Sequence, residues 1–302
     1  MGNVIEFERV SKSFGACKAL DDFTLLVPHG EVVGLIGPNG AGKTTALRIA
    51  LGILRPDRGT VRLLGEDPWN NSEVKKYVGV APERPTFIET MTCEEWLSRI
   101  AKIYGVADYV SKVKHVLELV GLYDKRRTKI KALSAGMKQK LNLAQAIMIE
   151  PRLLVLDEPL TNLDPISRNE VLNLLSRIYK EKKVSMIIAS HIIPELLRIV
   201  TKIAIVNKGK VCFYGSVDDV RKHLKHTLFR VYSSDNAKLL DRLRDMSFVK
   251  DVRIQGNELI IVVEHGMENK LYSELSRIAL ELNVEIYDVE SRAPSLEELL
   301  KG

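Results

Sequence analysis

A chain of 302 residues is long enough for two domains, and 45% apolar with 28% charged residues is the balance of a globular protein rather than of a disordered segment. Its apolar runs, such as 259–263, fall far short of the roughly 20 residues that a spanning helix needs, so no segment is expected to cross a bilayer. The net charge of +6 comes from 45 basic and 39 acidic residues mixed along the chain, which favours a solvated surface over a nucleic-acid groove.

The N-terminus, MGNVIEFERV, has early acids and no apolar core, so no export signal is expected. Glu6 stands where a myristoylation site wants Ser or Thr. Cys17, Cys93 and Cys212 are too scattered for a disulfide framework or a zinc site, which fits a reducing compartment. From residue 1 to about 225, short apolar runs alternate with helical patterns, the signature of a parallel α/β domain. Residues 32–36, 153–156 and 186–189 read as buried strands. Between the first two, about 90–150 reads as a helical insertion, with Val113, Val116, Leu117 and Val120 on one helical face.

From about 226 to 302 a second, small domain is expected. Residues 228–232 read as a strand and 237–246 as a helix with Leu239, Leu240 and Leu243 on one side. Residues 249–254 and 259–263 flank the turn residues Gly256 and Asn257. Glu268–Leu282 reads as a helix and 284–289 as a last strand. The order β-α-β-β-α-β is that of a ferredoxin-like unit, and Ser295 with Glu298 predicts a capped final helix.

Three motifs carry chemistry. The first is Gly37-Pro38-Asn39-Gly40-Ala41-Gly42-Lys43-Thr44-Thr45, between an apolar strand and a helical pattern, which satisfies the P-loop rule. Its glycines let backbone N–H groups wrap phosphates, and the helix start adds positive potential. Lys43 is expected to bridge the β- and γ-phosphates of a nucleotide, with the Thr44 hydroxyl on Mg²⁺. The second motif, LLVLDEP at 153–159, ends a buried strand in two carboxylates, where α/β sheets place their ligand sites. Asp157 is placed to hold the Mg²⁺ and Glu158 to orient or deprotonate water, two tasks of phosphoryl transfer. Alone, Asp-Glu-Pro at a strand end could equally be a solvated turn. The third, LSAGMKQK at 133–140, puts Ser134, Ala135 and Gly136 at a helix start. Alone it reads as an ordinary Ser N-cap. Two helix starts suited to phosphate in one chain imply two ligands, or one ligand shared by two chains.

P-loop, LSAG and LLVLDEP in this order resemble the ABC (ATP-binding cassette) ATPases over residues 4–225. The resemblance implies a P-loop NTPase (RecA-like) core with a helical subdomain, which binds and hydrolyses ATP with Mg²⁺. It implies that Phe14 stacks on adenine, that the loop 161–164 ending at Asp164 crosses a dimer, and that His191, after Ser190, contacts the γ-phosphate. Asp164 and Pro165 also suit a plain helix start. The family pairs two subunits head to tail, so the partner is expected to be a second ATPase subunit, a homodimer being favoured, with Ser134, Ala135 and Gly136 of one facing the P-loop of the other. Departures exist: Glu83 stands where most of the family has Gln and is placed as a Mg²⁺ ligand through water, and Ala135 and Met137 replace the commoner Gly and Gln. Both look like the export branch, which also carries a small C-terminal extension ending in a motif like Pro294-Ser295-Leu296-Glu297. An exporter motor that docks at 83–95 to separate integral membrane permease subunits is therefore expected, in the cytoplasm and peripheral on the inner face of the membrane. The alternative is a soluble ABC ATPase that remodels ribosomes or DNA; no nucleic-acid partner is expected in the leading reading, and a P-loop kinase or GTPase would leave LSAG and His191 unexplained.

Overall fold

A computed structural model describes residues 2–191, 193–219, 226–264 and 266–292. The chain divides into two compact units, Met1–Val217 and Asp218–Gly302. In chain order the first runs β1 (Asn3–Phe14), β2 (Cys17–Pro28), β3 (Val32–Ile36), α1 (Lys43–Ala50), β4 (Arg58–Leu63), β5 (Val78–Ala81), α2 (Cys93–Ile103), α3 (Tyr109–Leu119), α4 (Ala135–Ile147), β6 (Leu153–Asp157), α5 (Pro165–Lys182), β7 (Ser185–Ser190), α6 (Ile193–Leu196), β8 (Lys202–Asn207) and β9 (Lys210–Ser216).

Six strands form one sheet in the order β5-β6-β7-β3-β8-β9, parallel except for β9. Every residue of β3 and β7 is buried, as are 153–156 of β6. Strands covered on both faces need apolar side chains in both directions, which is why these segments read as continuous apolar runs. Parallel pairing sends the C-terminal ends of β5, β6, β7 and β3, four neighbours, to one edge.

Beside the expected parallel sheet the first unit holds a second one. β1, β2 and β4 form a separate antiparallel sheet in the order β2-β1-β4. Its strands bury one face, seen in β2 in the alternation of buried Phe23, Leu25 and Val27 with exposed Thr24 and Leu26. Phe7 meets Phe23 edge-on at 5.2 Å. These side chains share one core with Leu35 of β3, with Ala46 and Ile49 of α1, and with Val155 and Ile187.

α2 opens with a capping box between Thr92 and Glu95. Val113, Val116, Leu117 and Val120 are all buried around α3. α4 is buried nearly all round, including Leu141, Asn142, Leu143, Ala144, Ala146 and Ile147. Among the described residues no helix is long and apolar enough to cross a membrane.

The second unit runs β10 (His226–Ser233), α7 (Asn236–Leu243), β11 (Val249–Gln255), β12 (Glu258–Glu264), α8 (Glu268–Leu282) and β13 (Ile286–Arg292). The strands pair antiparallel in the order β11-β12-β10-β13, the split β-α-β arrangement. Phe229, Val231, Leu239, Leu243, Leu271, Leu275 and Ile278 form its core. The last strand starts two residues later than its apolar pattern suggests, because Asn283 turns left-handed at φ 52° to end α8 and the buried Val284 belongs to that turn. The expected helix at Ser295 and Glu298 and the motif from Pro294 to Glu297 lie outside the described residues.

Because Leu143 is fully buried in α4, Leu143→Ala is expected to lower the stability of the first unit by about 2–5 kcal/mol, measured by urea denaturation.

Candidate functional site

Each of the four neighbouring strand ends delivers part of the site. After β3 the chain enters the loop 37–42, where Gly42 sits at φ 105° and a Cβ would meet the Ala19 carbonyl. Only glycine fits there. Gly42 is also the N-cap of α1 and supplies no capping side chain, so the first amides of that helix keep their capacity for an anion. Pro38 accepts from the Ala41 amide at 3.1 Å, while Asn39 and Gly40 are exposed. Lys43 is only 5% exposed. Its ammonium donates to the carbonyls of Gly37 at 2.7 Å and Pro38 at 3.2 Å, and lies 3.3 Å from Glu158 Oε1.

β6 ends at Asp157. Burial pushes the Asp157 carboxyl above the ordinary carboxylate range, a hydrogen bond from Thr44 opposes the rise, and the charges of Glu158 and Glu83 add to it. Asp157 Oδ1 is buried with no hydrogen-bond partner. An orphaned anionic oxygen beside a hydroxyl and a second carboxylate is a donor set that suits a hard divalent cation such as Mg²⁺. Among the described residues no group of three or more His, Cys, Asp or Glu could hold a metal ion, so an ion here would complete its shell with water and substrate phosphate.

Glu158 follows at φ 48°, its amide bonded to the Ala189 carbonyl at 2.9 Å on neighbouring β7. The left-handed turn re-aims its side chain into the site, where it is 8% exposed. Its Oε2 accepts from Thr161 Oγ1 at 3.1 Å and from the His191 amide at 3.4 Å, and meets His191 Nδ1 at 2.9 Å. A carboxylate accepts, so that contact puts a ring hydrogen on Nδ1. Glu83 follows β5, two-fifths exposed, with Arg84 Nε 3.9 Å away. Lys43, Thr44, Asp157, Glu158, His191 and Glu83 are thus brought to one edge.

The other residues singled out from the sequence lie elsewhere. Ser134 is the N-cap of α4, its Oγ accepting from the Met137 amide at 3.3 Å. Ser134 and Ala135 are exposed, and Gly136 is buried. A Cβ on Gly136 would come 2.5 Å from Ser167 Oγ, and that hydroxyl donates to Asp164 Oδ2 at 2.6 Å. Asp164 caps α5, accepting from the amides of Ile166 and Ser167, each at 3.0 Å; the Ser167 hydroxyl above all, and these amides with it, hold its carboxyl below the usual range. Among the described residues no hydrogen bond or ion pair joins 134–136 to the loop 37–45. Phe14 is 52% exposed, with Lys12 Nζ 5.8 Å from its ring centre. Sequence reasoning missed Asp57, which braces this strand end by pairing with Lys12 at 2.6 Å and accepting from the Ser13 amide at 2.7 Å. It also missed Thr161 as a partner of Glu158. Nothing in local spacing signals the Asp57 contact, which closes across two strands.

A family profile described as ABC transporter matches residues 20–161. The bacitracin transport ATP-binding protein BcrA of Bacillus licheniformis is 31% identical over 301 residues, 99% of this chain and 96% of the relative. The chain belongs to the ABC transporter family. The Nod factor export ATP-binding protein I of Burkholderia lata is 33% identical over 263 residues, 86% of each chain. A solved ATP-binding subunit of an ABC transporter superposes with a TM-score of 0.65 at 30% identity, covering 73% of this chain and 92% of its own. As an ABC ATP-binding subunit the protein binds and hydrolyses ATP, and its first unit is the P-loop NTPase fold of the family.

The raised Asp157 carboxyl gives a signed prediction. The folded state holds its proton to higher pH than the unfolded chain, so stability is lost as pH rises from the ordinary carboxylate value, near 4, through the raised one. Asp157→Asn cannot ionise. Without metal or nucleotide the variant is expected to melt above the parent at pH 7.5, with the gap closing on acidification toward pH 4, measured by calorimetry.

Proposed function

We propose that this chain is the motor of an export-type ABC transporter, closing head to tail with a second ATPase subunit around ATP and driving separate integral membrane permease subunits from the inner face of the membrane. The observation that carries the catalytic part is the placement of Lys43, Asp157, Glu158 and His191 at adjacent strand ends, with the buried Glu158 carboxylate between Lys43 and His191. Export is supported by relatives named for bacitracin transport, Nod factor export and linearmycin resistance. These names leave the ribosome- or DNA-remodelling alternative without support.

Phe14 offers its exposed ring to adenine, and Asp57 and Lys12 keep the ring in place. Amides of 37–45 and the start of α1 take the phosphates. Lys43 exchanges Glu158 and two backbone carbonyls for the β- and γ-phosphate oxygens, a gain in counter-charge without a change in burial. Thr44 and Asp157, with Glu83 through water, would hold Mg²⁺, which when bound neutralises charge on the β- and γ-oxygens. Once Lys43 moves to phosphate, Glu158 is free to orient water and take its proton. The water oxygen bonds to the γ-phosphorus, the bond to the β–γ bridging oxygen breaks, and ADP leaves with the electron pair. His191, already beside Glu158, is placed to contact the γ-phosphate. Ser134, Ala135 and Gly136 of a second copy would close the site from the other side, with Asp164 at the crossing. Cleavage removes the charge that holds the two chains together.

Glu158→Gln is expected to lower ATP turnover by about 100-fold or more while retaining ATP and shifting the protein to a dimer on size-exclusion chromatography. Hydrolysis at the parental rate would remove Glu158 as the base. Ser134→Arg is expected to bind ATP as a monomer and to form no such dimer in the Glu158→Gln background. An unchanged dimer peak would rule out the shared site.

A further inference from the structure

A polar chain centred on the buried Asn142 runs through the helical region to the edge of the site. Trp96 Nε1 on α2 donates to Gln145 Oε1 at 3.0 Å. Gln145 Nε2 donates to Asn142 Oδ1 at 2.9 Å, three positions back on α4. Asn142, fully buried, donates through Nδ2 to the Pro82 carbonyl at 2.9 Å. The direction is forced by the two ends: an indole N–H only donates and a peptide carbonyl only accepts, so neither amide can be reversed without setting like against like. Three bonds in one sense reinforce each other.

The chain ends on the peptide group that Pro82 shares with Glu83. The Trp96 ring also meets Phe87 edge-on, centroids 5.6 Å apart at 83°. The short segment 82–87 is therefore pinned at one end by Asn142 and at the other by Trp96. Between the pins lie Glu83 and the exposed Arg84, with the Glu83 charge in electrostatic reach of Asp157. Burying the Asn142 amide costs stability unless its bonds are made. The network's specific product is the position of one carbonyl.

We propose that Trp96, Gln145 and Asn142 form a positioning relay that sets Glu83 at the catalytic edge. This rests on the reading that Glu83 acts beside the bound phosphates. None of the three side chains touches the reacting atoms; they act through Glu83.

The test uses the full chain with Asn142→Leu and Trp96→Phe, each alone and combined with Glu83→Ala. Each alone is expected to lower kcat about fivefold, the worth of one net hydrogen bond, with metal-free ADP affinity unchanged. In the Glu83→Ala background neither is expected to lower kcat further. A second readout is the ¹⁵N indole resonance of Trp96, identified by its loss in Trp96→Phe. It is expected to shift when ADP and magnesium are added to the parent, and to stay in place in Asn142→Leu. Parental kcat in both variants, an equal fractional loss with and without Glu83, full activity of Glu83→Ala, or an indole shift unchanged in Asn142→Leu would each overturn the relay. Failure of the underlying catalytic reading is separate, because it would show as parental hydrolysis by Glu158→Gln.

Discussion

A lysine ammonium with almost no access to water must find its counter-charge inside the protein, and Lys43 finds it in Glu158. That pairing ties the start of α1 to the turn after β6. The same carboxylate receives His191 after β7 and Thr161 from the following loop. Three separate segments thus converge on one buried anion. Its placement depends on the left-handed turn at Glu158, and the turn depends on the amide bond to Ala189 in the neighbouring strand. Without the parallel order β6-β7-β3, no strand end would present these groups side by side.

The antiparallel sheet and the helical region serve that edge in different ways. The sheet shares a core with α1 and braces Phe14 through Asp57. The helical region carries Ser134 on the first turn of α4, and the body of the same helix holds the Pro82 carbonyl. One buried helix therefore has one end exposed at Ser134 and its middle on a loop that carries Glu83. Gly136 lets α4 approach Ser167, and Ser167 in turn holds Asp164, so the two elements expected to face a second copy lean on each other within one chain. Their roles toward that copy belong to the proposal; their mutual support is local geometry.

Much of the site was legible because each motif is local. A P-loop needs a strand, glycines and a helix start within a few residues, and 32–50 supplies them in order. Asp157 and Glu158 announce themselves as charges that end an apolar run. The parallel strands were legible for the same reason: burial on both faces leaves no polar alternation. The antiparallel sheet was not, because the register shifts within β1 and β2 blur the period of two that would have exposed it.

The sequence by itself determined which groups could do phosphoryl chemistry and which backbone conformations present them, since glycine at 42, a carboxylate pair at 157–158 and a serine before a helix act through their immediate neighbours. It also determined the alternation of elements in the second unit, where hydrophobic phase and a Gly-Asn turn are short-range signals. Only the tertiary structure decided which of these groups meet. The bonds from His191 to Glu158, from Lys12 to Asp57 and from Asn142 to Pro82 depend on strand order and helix packing, which bring together residues far apart in the chain. No local pattern encodes such contacts, because their energy is gained only when distant segments share one buried volume.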